Sequence, residues 1–581
     1  MKKEINLFLT ISVMCMGIFL CMLDTTIMNI TLPAIQDSLG VTLNQLSWAL
    51  NIYTITFAVM TIPLGRLAEI YGKNKIYILG FIIFCGGSLI CSFSNDVYFL
   101  IIGRGVQSIG AAIIFPISMV IGISTVSIEK RSKVIAILGV TQGLSAALGP
   151  SIGGLVTQFL GWRWVFLINV PLSIIAIVIS LFCLNTKNEE KIESQNDYTG
   201  AFWCVCFLFS LTLGLTQGNS WGWESIRVIV TFSVTIVSFI IFIFTEKRSK
   251  YAMINLKLFE DRQFNASAVT VVFSNLFLIG VTVLLPTFLN RIHGESELRA
   301  ALLVTPISAM IFVFSPIAGL LVDKVGRKAV IFTGFIGMAV AYYMLYHLDV
   351  SNGYTQLIIA CLVLGFGYGI IVGPITVLAA SSFTGELLTA SQSVVGVLRQ
   401  VGTVLAVAIF VSALTSNIAS AKVQILDHAQ KEIEKLDITK EQQEIVLENT
   451  KRNLESEKIN TAASPNEEKK IMSPKERSAL IAVEVKKASQ QLGTAKPLND
   501  ATKKAIEEQV TAAVDHKIAK VQNEVNAFAT GIQQYSQNKI SKSFSSLYGI
   551  AFFVIILCSL IAFVYKEVEK KDRKEVIKVD S

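Results

Sequence analysis

Charge is scarce in this chain. Only 16% of its 581 residues are Asp, Glu, Lys or Arg, against about 25% in an ordinary soluble domain. Hydrophobic residues reach 52% and mean hydropathy is +0.59, which excludes a soluble globular chain. A phosphate-binding loop closing in Gly-Lys-Ser/Thr is also missing, so nothing offers direct coupling to ATP. No metal or disulfide framework is visible. The nine cysteines all fall in apolar runs, where free Cys acts as a small hydrophobe. Cys204 and Cys206 are two apart on a helix and do not face each other. The net charge of +8 does not point to nucleic acid, because the basic residues cluster in short loops. No catalytic residue, metal or cofactor is assigned, and the chain is not read as an enzyme.

What remains is a series of apolar runs of bilayer length. Fourteen are read, at roughly 7–29, 46–64, 76–94, 99–121, 134–159, 162–184, 198–217, 225–245, 266–289, 300–322, 328–348, 354–377, 393–416 and 546–565. The first imitates a signal peptide but is too long and lacks a small-residue cleavage site. Short loops after even-numbered runs hold 16 Lys and Arg, and those on the other side hold four. By the positive-inside rule the even loops and both termini are cytoplasmic. Residues 417–544 then lie outside the cell.

Acids are nearly absent from the runs, and that makes Asp24 informative. It is the only acid in 7–29. A carboxylate in hydrocarbon costs on the order of 3 kcal/mol even on the lenient insertion scale. It must face a bundle interior, a wet cavity or the headgroups at a helix end. Facing wet and dry surroundings in turn, it can take a proton on one side and release it on the other. Arg104 is its natural partner, with Gln107 three residues on and on the same helix face. The plainer reading has Arg104 snorkelling to the headgroups.

An internal repeat follows the second and tenth runs. Gly65 through Lys75 and Gly319 through Lys328 both read Gly, spacer, acid, two residues, Gly, then basic residues, and are expected to form short cytoplasmic turns. With the seventh and eighth runs as an insertion, the copies occupy equivalent places in two six-helix halves. Such repeats mark secondary transporters, with the substrate near the midplane.

These residues resemble the major facilitator superfamily, and within it the fourteen-helix drug:proton antiporter family. The resemblance covers about 7–416 and the final run. It rests on Leu23 through Pro33, on Gly65 through Lys75, on Arg104 through Gly110, on Gly143 with Gly149 through Gly154, and on Trp162 through Phe166 with Asn169 and Pro171. It implies an all-α fold of two six-helix halves plus two central helices, and proton coupling through Asp24 and Arg104. It also implies a gating latch of Gly65, Glu69, Gly72, Lys73, Asp323 and Arg327. Gly143, Gly149, Pro150, Gly153 and Gly154 would form a tight hinge against leak, although small residues of this kind also serve ordinary packing. Glu69 stands where the family usually has Asp. Runs ten and thirteen lack a second acid, which argues against divalent cations.

The expected organisation is a half at 1–184, a two-helix linker at 185–265, a second half at 266–416, an external helical domain at 417–544, and a last helix with tail at 545–581. In the external part, apolar residues from Ile506 to Tyr535 step by three or four, and Ile425 to Leu436 suggest an opposing helix. A helical hairpin or small bundle is expected there, available to a cell-surface partner. Candidate substrate contacts are Trp48, Asn51, Tyr53, Phe57, Gln107, Met119, Gln142, Tyr368 and Arg399. The reading is a proton-coupled exporter of amphiphilic, monocationic or neutral compounds in a bacterial plasma membrane. The alternatives are export of a lipid or another endogenous amphiphile, and a membrane anchor displaying the external domain.

Overall fold

The computed structural model describes residues 2–41, 43–187, 189, 197–249, 251–348, 353–436, 438–455, 474–491 and 500–566. Among them the regular structure is helical. The first half comprises α1 (Lys2–Leu39), α2 (Leu43–Tyr71), α3 (Lys73–Ser92), α4 (Val97–Ser124), α5 (Ile128–Leu160), α6 (Arg163–Leu167) and α7 (Asn169–Cys183). The helices α8 (Tyr198–Trp221) and α9 (Ile226–Arg248) intervene. Then come α10 (Arg262–His293), α11 (Glu297–Val325), α12 (Arg327–Tyr346), α13 (Thr355–Ala380), α14 (Gly385–Ala406) and α15 (Ser412–Ile433). The short α16 (Lys440–Glu455) and α17 (Pro474–Gln491) precede the long α18 (Asp500–Ser559). Among the described residues, 13 helical stretches are long and apolar enough to cross a membrane. A shorter apolar stretch in α5, Lys133–Ser145, falls on the fifth expected run.

The sixth run is two helices that meet at Ile168. Pro171 has no N–H for the carbonyl of Leu167, and its ring crowds that carbonyl, so the break falls one turn earlier. The repeat behaves differently from its expected form. Helix continues through Gly65–Tyr71 and Gly319–Val325, and the turn in each copy is a single glycine. Gly72 has φ 113° and Gly326 has φ 100°, which residues with a Cβ rarely adopt.

The packing repeats as well. α3 lies on α4, and α12 lies on α13. Between halves, α5 packs on α11 and α14 packs on α2. Each half thus offers its fifth spanning helix to the second of the other, as a two-fold arrangement of repeats requires.

A second compact unit comprises 287–294 and 414–544. Within it α15 and the first part of α18 run antiparallel. Asn417 Nδ2 donates to the Ser543 carbonyl at 3.2 Å. Lys539 donates to Gln424 at 2.9 Å, and His428 stacks on Tyr535 at 4.0 Å. Ile425, Ala429, Ile433, Phe528, Ile532 and Ile540 are buried along this pair. Arg477 ties α17 to α18 through a two-toothed pair with Asp515, both bonds 2.7 Å.

Candidate functional site

Asp24 is fully buried and Arg104 is 1% exposed. α1 brings the carboxylate to face α4, where Arg104 Nη1 donates to Oδ2 at 2.5 Å. Gln107, one turn along, donates to Oδ1 at 2.8 Å. Asn169, the first residue of α7, donates to the same oxygen at 3.2 Å. The carboxylate therefore accepts from three donors on two other helices. The network extends outward in both directions. Arg104 also donates to Gln107 Oε1 at 2.8 Å and to the Ala49 carbonyl on α2 at 3.4 Å. Gln107 donates to Ser88 on α3 at 2.8 Å. Tyr53 covers the guanidinium, with its ring centroid 4.2 Å away, a cation–π arrangement worth most where water is excluded. Arg104 does not snorkel; it lies in the bundle interior. Tyr53 and Gln107, named above as substrate contacts, belong to this cluster.

The glycines of α5 connect that cluster to the opposite half. A Cβ on Gly149 would run into Thr26 Oγ1, two residues past Asp24, and one on Gly153 would sit 2.6 Å from Ile27. A Cβ on Gly143 would lie 3.1 Å from Ile311 and the Phe312 nitrogen of α11. Gly154 is half-buried. The side chain of Pro150 lies outside the described residues.

A second polar group joins α2 to α14. Arg66, 6% exposed, pairs with Glu69 at 3.1 Å and with Glu386 in the first turn of α14. Thr389 sits beside Glu69, and Lys73 adds positive potential there. A Cβ on Gly65 would meet Ser393 Oγ at 2.5 Å. The cavity left among Gly65, Arg66, Glu69, Thr389 and Ser393 is about 10 Å³, at or below the room one water needs. In the second repeat copy Arg327, at the place Lys73 holds in the first, donates to Gln263 of its own half. The side chain of Asp323 lies outside the described residues.

The remaining candidates separate into two sets. Arg399 Nη1 donates to Gln142 Oε1 across the two halves at 2.6 Å, and its guanidinium lies 5.7 Å from the Phe115 ring. Phe57 meets Phe115 edge-on at 6.0 Å. Tyr368 donates to Asn275 Oδ1 at 3.3 Å, and Asn275 holds the Arg399 carbonyl at 2.8 Å. Met119 is packed in the core of the first half. Trp48 and Asn51 are half-buried, and no hydrogen bond joins them to either polar cluster. Sequence reasoning gave no role to Ser88, Asn169, Asn275, Phe115 or Glu386. Asn169 stood in a quoted motif; the rest carry no charge inside a run, or sit just before one.

This architecture, with a buried carboxylate in one half and paired halves closing on each other, defines a secondary-transporter class of membrane protein. Residues 14–407 match the Major Facilitator Superfamily model, and the chain belongs to that superfamily. It is similar to the multidrug transporter protein MdtP of Bacillus subtilis, 29% identical over 69% of this chain and 74% of that one. It is also similar to the multidrug resistance protein Stp of Mycobacterium tuberculosis, 25% identical over 70% and 76%. The solved proton:xylose symporter XylE shares the fold at TM-score 0.51 and 14% identity, covering 70% of this chain and 88% of that one.

Proposed function

We propose that this protein is a proton-coupled antiporter that exports amphiphilic, drug-like compounds across a bacterial plasma membrane by alternating access. The observation that carries the reading is the sealed carboxylate of Asp24, held by Arg104, Gln107 and Asn169. An ionised carboxylate only accepts hydrogen bonds, and once protonated it also donates. Proton uptake at Asp24 removes the charge opposite Arg104 and sets a donor among donors. The cluster then has to rearrange, and α1 with it. α1 bears on α5 at Thr26 and Gly149, and α5 bears on α11 at Gly143. A proton event thus has a packed route to the seam between halves. Arg66, Glu69 and Glu386 form the cytoplasmic latch in this state. The names of the multidrug relatives support drug-like substrates. Retention of Asp24, Arg104 and the α5 glycines supports a working exporter over a membrane anchor.

The test is Asp24→Asn in proteoliposomes, with ethidium and anthracene-9-carboxylate as alternative probes. Asn keeps the shape and cannot carry the proton. Efflux driven by a pH gradient is expected to fall to background with normal reconstitution of the protein. Native rates in the variant contradict the assignment.

A further inference from the structure

Arg399 is 9% exposed. Among the described residues of the membrane body, ion pairs include Arg66–Glu69, Arg66–Glu386, Arg104–Asp24 and Arg299–Glu295. Arg399 takes part in none of them. Gln142 occupies Nη1. Arg399 Nε and Gln142 Nε2 are both buried without an acceptor. Orphan buried donors are rare in native structures and call for an explanation. A guanidinium inside a span normally pairs with an opposite charge or with backbone carbonyls.

The backbone that carries this side chain is fixed. Asn275 on α10 bonds both the Arg399 carbonyl and Thr403, at 2.8 and 2.7 Å, and takes a bond from Tyr368 on α13. On the other side stand the Phe115 and Phe57 rings. The Nε–Nη2 edge, which Gln142 leaves open, is the planar fork that matches a carboxylate two-on-two. Donors from both halves meet here, where alternating access requires the cargo to be.

We infer that Arg399 and Gln142 bind the anionic group of the transported compound, an amphiphile with one carboxylate and an aromatic body. The fork takes the carboxylate, and Phe115 and Phe57 take the ring. This rests on the exporter reading and replaces the monocationic or neutral substrate expected from a lone membrane acid. The Asp24 carboxylate already has three donors, whereas Arg399 has no anion.

The test measures equilibrium binding to the purified full chain without any gradient. The probes are anthracene-9-carboxylate, its methyl ester and a trimethylammonium analogue. The native protein is expected to bind the carboxylate tightest. Arg399→Gln is expected to weaken the carboxylate by about tenfold to a hundredfold, as loss of a charge-assisted pair does, and the ester by less than about twofold on the same scale. Arg399→Lys, which keeps the charge and lacks the fork, is expected to fall between and controls for folding. No preference for the carboxylate in the native protein overturns the inference, as does a preference that survives Arg399→Gln. Gradient-driven export is measured separately on the same preparations. Export of the ammonium probe with no carboxylate preference sinks the inference alone; absence of gradient-driven export of all three sinks the exporter reading.

Discussion

At the scale of single residues the central object is a buried ion pair with neutral helpers. Such a pair adds little net stability, but removing one partner strands the other and costs about 3–5 kcal/mol. Both variants strand a partner, but Arg104→Ala also empties the volume of one of the largest fully buried side chains, so it is expected to lower thermal stability more than the near-isosteric Asp24→Asn. Combining them should recover part of the Arg104→Ala loss. Equal and additive losses, read by thermal unfolding in detergent, would show that the two do not act as a pair. Asp24 and Arg104 were legible in the sequence because charge inside an apolar run stands out. Of their helpers Gln107 was legible too, three residues from Arg104, whereas Ser88 and Asn169 were not. Both are neutral polar residues on other helices; Asn169 is 145 residues from Asp24 and Ser88 joins through Gln107, and no spacing rule links either to the site. Arg399 was visible by its charge, but its lack of a counter-ion is a fact of three dimensions.

Among elements, two contacts carry the account. The first is α1 against α5. Gly149→Ala places a methyl against Thr26 Oγ1, so transport is expected to drop several-fold, on the order of the 1–3 kcal/mol that overpacking costs. Thr26→Ala in the same chain should restore much of it. No rescue means that the glycine matters for another reason. The second is the latch between α2 and α14. Glu386→Gln removes the cross-half charge on Arg66. With Ser393→Cys as reporter in a chain freed of its native cysteines, labelling by a water-soluble maleimide should quicken several-fold, as it would for a loss of about 1 kcal/mol in closure. Unchanged labelling argues that the pair does not hold the seam. Thirteen of the fourteen expected spans were readable from hydropathy as helices of membrane length among the described residues, and the two-half repeat from the Gly65 and Gly319 motifs. Helix ends were not. Hydropathy reports the apolar thickness a run spans, and α1, α2 and α18 continue well past it. For that reason Gly65–Tyr71 reads as a turn in sequence and is helix in fact, and Glu386 reads as loop and is the first turn of α14.

On the scale of the molecule, the second unit has its own apolar seam and its own antiparallel pairing. Replacing about 420–540 with a short flexible linker is expected to leave both adjoining helices inserted and transport reduced but present. A truncated chain that folds and moves no probe would make that unit part of the cycle. The whole account turns on one exchange, substrate for proton through Asp24. Its most direct measurement imposes a substrate gradient, with no pH gradient, on proteoliposomes carrying a lumenal pH dye. The native protein should drive protons opposite to substrate flow, while Asp24→Asn moves substrate downhill at most and leaves lumenal pH unchanged. Proton movement in the Asp24→Asn vesicles equal to that of the native protein would contradict the account.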